Sequence, residues 1–72
     1  MKYKLLFAER LKELRLKNNL TQKQLAEALN INQTKIGNWE RKRGKPRYDV
    51  LIKIADCFKV SVDYLLGFDK KI

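Results

Sequence analysis

The eighteen residues from Gln22 to Trp39 constrain the fold more than any other part of the chain. Leu25, Ala26 and Leu29 stand at i, i+1 and i+4, one face of a short helix. A second short helical pattern follows, with Ile36 and Trp39 turned inward. Only Asn30-Ile31-Asn32 lies between the two patterns, room for a tight turn and nothing longer. Asn30 is one of the few residues other than glycine that tolerates a left-handed backbone. Ile31 can plug the gap beneath the turn, and Ala26 is small where the two helices approach closest. The pattern describes two helices at a steep angle, the second with its outer face free.

That outer face carries Gln33, Thr34, Gly37, Asn38 and Arg41, at i, i+1, i+4, i+5 and i+8. It is polar and uncharged at its N-terminal end and cationic at its C-terminal end. Just beyond it, five of the seven residues 41–47 are cationic, and no acid lies between Glu40 and Asp49. The whole chain has a formal charge of +9, whereas a generic solvated surface mixes signs more evenly. Such an excess favours a polyanion: DNA, RNA or an anionic membrane.

Composition does not choose among these, but distribution does. A helix fits the major groove of B-DNA, where each base pair shows its own pattern of donors and acceptors. The amides of Gln33 and Asn38 can pair bidentately with adenine N6 and N7, and Thr34 can offer its methyl to thymine. An ordinary solvated helix face has the same composition; the adjoining basic loop is what favours reading. Phosphate contacts supply most of the affinity. Thr21 and Gln22 stand at the positive dipole end of the first of the two helices, a plausible anion site. Arg41, Lys42, Arg43 and Lys45 follow the second, where the DNA backbone would pass, and Lys23 and Lys35 are weaker candidates. Gly37 in mid-helix costs on the order of 1 kcal/mol relative to Ala. It is either a tolerated surface glycine or a point of close backbone approach, and both readings stay open.

Around this centre the chain reads as all-α. A first helix is predicted over about Leu5 to Lys17, with Phe7, Leu11 and Leu14 at i, i+4 and i+7. Met1 to Lys4 are expected to fray, and Leu20 to pack under the next cap. Thr21-Gln22-Lys23-Gln24 has the form of a capping box and opens a helix from Gln22 to about Leu29. Asn32 is a good N-cap for the next, Gln33 to about Lys42. Gly44 and Pro46 mark a loop. A fourth helix, about Tyr48 to Lys59, carries Leu51, Ile54, Ala55 and Phe58 in one stripe, with Cys57 beside it as a small packed hydrophobe. Ser61 caps a fifth, Val62 to Leu66, closed by Gly67, with residues 67–72 as a flexible tail. The expectation is a single all-α domain over residues 1–72.

Several functions lack the residues they need. One cysteine cannot form an internal disulfide, and a chain without histidine has no Ser-His or Cys-His pair and no zinc-finger ligand set. No enzyme activity, metal or cofactor is expected. No apolar run approaches the roughly 18–20 residues of a membrane span, and no signal-peptide core follows Met1. The expected setting is reducing and cytoplasmic.

These segments resemble a known family. They are Leu11-Lys12-Glu13-Leu14-Arg15, Thr21-Gln22-Lys23-Gln24-Leu25-Ala26, Ile36-Gly37-Asn38-Trp39-Glu40-Arg41, Pro46, Leu51-Ile52-Lys53-Ile54-Ala55 and Val60-Ser61-Val62-Asp63-Tyr64-Leu65-Leu66-Gly67. Together they are similar to the phage repressor and Cro-type helix-turn-helix regulators, also called the xenobiotic-response-element (XRE) family, over nearly the whole chain. The resemblance implies a compact five-helix, lambda-repressor-like domain with the helix-turn-helix at its second and third helices. It implies a bacterial or phage-encoded transcriptional regulator, a repressor, that binds double-stranded operator DNA as a homodimer. It supports base contacts at Gln33, Thr34 and Asn38, and phosphate contacts at Thr21, Gln22, Arg41 and the basic loop. It further implies an ion pair between Arg15 and Glu40 that orients the reading helix. Val62 and Tyr64, with Tyr48 and Phe68, would form a self-complementary dimer patch; the alternative is that they complete a monomer core. Reading helices on a palindromic operator would stand roughly 34 Å apart.

The chain departs from the family pattern at three places. Asn30 replaces the usual glycine of the turn. Lys42 stands where a glycine usually follows the glutamate, so the third helix is expected to run longer. Arg47 replaces a Ser or Thr cap, leaving the fourth helix to lean on Asp49 near its dipole. Two other classes of function stay beside this reading. One is a protein-interaction module, such as an antitoxin or adaptor, with DNA binding secondary. The other is a basic membrane-surface protein, which fits poorly because the basic loop adjoins no exposed apolar face.

Overall fold

The computed structural model describes residues 5–68 and forms five helices. They are α1 (Phe7–Lys17), α2 (Gln22–Leu29), α3 (Gln33–Glu40), α4 (Tyr48–Phe58) and α5 (Val62–Leu66). The described residues contain no strand, and the fold is the all-α one expected.

Local chemistry sets the helix ends. The Gln24 N–H donates to Thr21 Oγ1 at 3.0 Å and the Thr21 N–H to Gln24 Oε1 at 2.8 Å, so both halves of the capping box are made. α2 stops at Asn30, which takes the left-handed conformation at φ +57°. The Ile31 N–H then donates back to Ala26 O at 3.0 Å. Three residues later the Thr34 N–H donates to Asn32 Oδ1 at 2.7 Å and starts α3. The three-residue turn thus has a cap on either side, which fixes the angle between α2 and α3. α4 starts at Tyr48 behind an N-cap residue, Arg47, that makes no side-chain cap, and has Asp49 in its first turn.

Every helix supplies at least one fully buried side chain to a common core: Leu11, Leu25 and Leu29, Ile36, Ile54, and Leu65. Phe7 meets Trp39 edge to face, with ring centroids 6.1 Å apart. Leu20 and Ile31 pack at the margin, partly buried.

The structure corrects the expected boundaries in several places. α1 begins at Phe7, not Leu5. The Leu6 N–H instead donates to Leu66 O at 3.2 Å, tying the start of α1 to α5. α3 ends at Glu40 rather than running on to Lys42. The Lys42 N–H donates to Trp39 O and the Arg43 N–H to Asn38 O at 2.7 Å, while Lys42 takes φ +65°. This is the closure that usually recruits glycine, so the missing glycine strains the turn and does not lengthen the helix. α4 ends at Phe58, with Lys59 left-handed at φ +58°. Cys57 is exposed, not packed. At 3.6 residues per turn it lies about 110° from the centre of the face formed by Ile54 and Ala55. Gly67 (φ +87°) and Phe68 do not begin a tail: the Phe68 N–H donates to Asp63 O at 2.8 Å and closes α5. The expectations for Met1 to Lys4 and for residues 69–72 fall outside the described residues.

Candidate nucleic-acid interface

α3 has two faces that differ in every physical respect. Inward, Ile36 and Trp39 are buried in the core. Outward, Gln33 and Thr34 are exposed in its first turn and Asn38 is half-buried one turn on. Arg41 follows, and its Nη2 donates to Asn38 Oδ1 at 3.2 Å. The amide of Asn38 is therefore already oriented by its neighbour, with its NH₂ left as a donor. Gly37 does not lie open on this face. The side chains of Gln22 and Arg41 fold over it, and a Cβ there would sit 3.5 Å from Gln22 Oε1 and from both terminal nitrogens of Arg41. That is ordinary van der Waals distance, so the space for a methyl exists.

A dry ion pair props α3 from behind. Arg15 Nε donates to Glu40 Oε2 at 2.7 Å and Arg15 Nη2 to Glu40 Oε1 at 3.0 Å. The two side chains are only 10% and 5% exposed. Arg15 Nη1 also donates to Leu20 O at 2.8 Å, and Gln22 Nε2 donates to Glu40 Oε1 at 3.2 Å. One carboxylate thus joins α1, the start of α2 and the end of α3. Its hydrogen bonds push the Arg15 guanidinium up from its ordinary pKa, with desolvation pulling the other way. The side chain of Gln22 is spent on Glu40, while the backbone amides of the first turn of α2 have no intrahelical acceptor. Thr21 is exposed beside them, its hydroxyl oxygen occupied by the cap.

The cations beyond α3 stand in the open. Lys35, Arg41, Arg43, Lys45 and Arg47 are all exposed, and none has an ion-pair partner among the described residues. Lys42 differs: its Nζ lies 3.2 Å from Glu9 Oε2, in a solvent-exposed pair of the kind that contributes little. Beside α3 lies a concavity of about 260 Å³. Lys35, Asn38, Arg43, Lys45 and Arg47 converge on it over a floor that includes Trp39 and Val50. Arg47, one of the five cations of the run 41–47, stands in the sequence as a missing cap and is not individually among the phosphate contacts expected there. Its membership of the charge run was the available signal.

The four residues of the expected dimer patch divide. Val62 and Tyr64 are half-buried and pack on the core. Tyr64 is also held by Arg10, whose guanidinium lies 4.2 Å from the ring centroid and donates to the Tyr64 carbonyl. Tyr48 and Phe68 are 81% and 44% exposed, as is the nearby apolar Ile52 at 56%. Among the described residues no group of His, Cys, Asp and Glu could hold a metal, and no helix is long and apolar enough to cross a membrane.

Known proteins are similar to this chain in sequence and fold. The Helix-turn-helix family matches residues 11–65. The chain is similar to the HTH-type transcriptional regulator ImmR of Bacillus subtilis, at 47% identity over 62 residues, which cover 86% of this chain and 49% of that protein. It is similar to the control protein C.SmaI of Serratia marcescens, at 39% identity over 66 residues, covering 92% of this chain and 79% of that one. Among solved structures, the P22 c2 repressor protein in complex with synthetic operator 9T aligns with a TM-score of 0.82 at 28% identity, covering 93% of this chain and 100% of that one. Several curated relatives are longer: the chain spans 49%, 32% and 55% of three of them.

Proposed function

The chain belongs to the Helix-turn-helix family, and from that premise we propose that it is a sequence-specific DNA-binding transcriptional regulator, a repressor, acting in the cytoplasm. α3 lies in the major groove. Gln33, Thr34 and Asn38 read base edges. The first-turn amides of α2 at Thr21 and Gln22 take one phosphate, and Arg41, Lys42, Arg43, Lys45, Lys35 and Arg47 take others. The Arg15–Glu40 pair holds α3 at its angle to the scaffold. The observation that carries this reading is the division of α3 itself. Its apolar side is sealed in the core, and its amide-bearing side opens onto five cations without ion-pair partners among the described residues. The operator complex of the structurally similar P22 c2 repressor supports it.

On DNA the protein acts as a homodimer on a palindrome, joined through the exposed apolar surface of Tyr48, Phe68 and the margins of Val62 and Tyr64. Selection of bound duplexes from a random pool tests both parts together. The expected result is a palindromic consensus with half-sites about 10 base pairs apart, bound at least ~10³-fold more tightly than unrelated duplex. Recovery of unenriched sequences would contradict sequence-specific reading, and a single unrepeated half-site would contradict the dimer.

A further inference from the structure

A second cavity lies on the other side of Trp39, between the start of α1, the loop after α3, and α4. Its volume is about 450 Å³, within the range of roughly 300–1,000 Å³ typical of small-molecule sites. Its walls are apolar: Leu5, Phe7, Trp39, Pro46, Leu51 and Leu66. Its charged lining is Lys42, Lys45 and Glu9. Glu9 already pairs with Lys42, so the mouth keeps one positive charge, and Lys45 has no ion-pair partner among the described residues. We propose that this cleft is an effector site for a monocarboxylate with an apolar body, its chain against the Trp39 wall and its carboxylate on Lys45, and that its occupancy opposes DNA binding.

The shape of the wall gives the second half of the proposal. Trp39, Gly44, Lys45 and Pro46 line this cleft and also the basic concavity beside α3. They are a shared partition between an apolar chamber and a cationic one. A carboxylate that draws the Lys45 ammonium to the apolar side removes it from the phosphate side. An apolar chain wedged behind Trp39 bears on the residue that seats α3. Each ligand then binds a different arrangement of one partition, which is the requirement for coupling. This half rests on the DNA reading proposed above; the affinity of the cleft for a carboxylate does not.

The test uses the full chain, with sodium octanoate as probe and octan-1-ol as its uncharged counterpart. Trp39 is the only tryptophan, so its indole N–H resonance reports the cleft directly. Octanoate is expected to shift it saturably, and octan-1-ol to bind about threefold more weakly, the size of one exposed charge contact. Lys45→Ala, at an exposed loop position, is expected to remove that difference. Saturating octanoate is expected to weaken binding of a labelled duplex by the factor by which the duplex weakens octanoate. The proposal is overturned if octanoate gives no saturable shift, if the alcohol binds as well, if Lys45→Ala leaves octanoate affinity unchanged, or if duplex affinity ignores saturating octanoate. Failure to bind any duplex would instead overturn the proposed function, because the indole titration is read on the protein alone.

Discussion

The inner and outer sides of α3 are a few ångströms apart and obey opposite rules. On the inner side every polar group is answered: Glu40 has Arg15 and Gln22, Arg15 has Leu20 O, and Ile36 is fully buried with Trp39 nearly so. On the outer side Gln33 and Thr34 end in solvent, and Asn38 is held by one exposed arginine. Satisfied groups in a dry site make structure, since removing one leaves another stranded. Unsatisfied groups on a rigid support carry little stability and are available to a ligand. The comparison predicts that changes behind α3 unfold the protein, while changes in front alter only what it binds.

The sharpest break of that division is Arg15→Ala. It strands Glu40 in a nearly dry site and is expected to remove about 3–5 kcal/mol of stability, seen as a lowered midpoint in a denaturant melt. A loss within about 0.5 kcal/mol would put the pair among ordinary surface charges. Next in size is Asn38→Ala. Its stability is expected to stay within about 0.5 kcal/mol of the parent, while discrimination between the preferred and a mismatched duplex falls by about 1–3 kcal/mol. Competition binding with the two duplexes reads this directly.

Gly37→Ala probes the boundary between the two sides. The new methyl meets only side-chain ends at 3.5 Å, so the helix gains up to about 1 kcal/mol and the melting temperature rises. A fall would mean that Gln22 and Arg41 cannot give way. Smallest of all is Arg43→Ala, which is expected to leave the melt unchanged and to lower the slope of log K against log salt by about one, equally on every sequence. A change confined to one sequence would make Arg43 a reader.

Much of this division is legible in the sequence because it rests on local rules. The Thr21 and Asn32 caps, the left-handed Asn30 and the stripe through Phe7, Leu11 and Leu14 depend on neighbours within one or two turns. The partnership of Arg15 with Glu40, 25 residues apart, came only through family resemblance. Several of the expectations that needed correction depend on distant or long side chains. Gly37 is buried because Gln22 reaches across from α2. The Lys42 turn was decided by closure onto Asn38 and Trp39, against the preference of lysine itself. Tyr64 is partly committed to Arg10, 54 residues away. The basic concavity gathers residues from Lys35 to Arg47 across a loop whose path has no sequence signature, so the charge run marks Arg47 but its place beside α3 shows only in the structure.

Nuclear Overhauser contacts between the protein and a selected duplex test the central claim most directly. The account predicts cross-peaks from the side chains of Gln33, Thr34 and Asn38 to major-groove base protons, with the indole of Trp39 giving none. Base contacts arising from another helix, with the outer face of α3 silent, would contradict it.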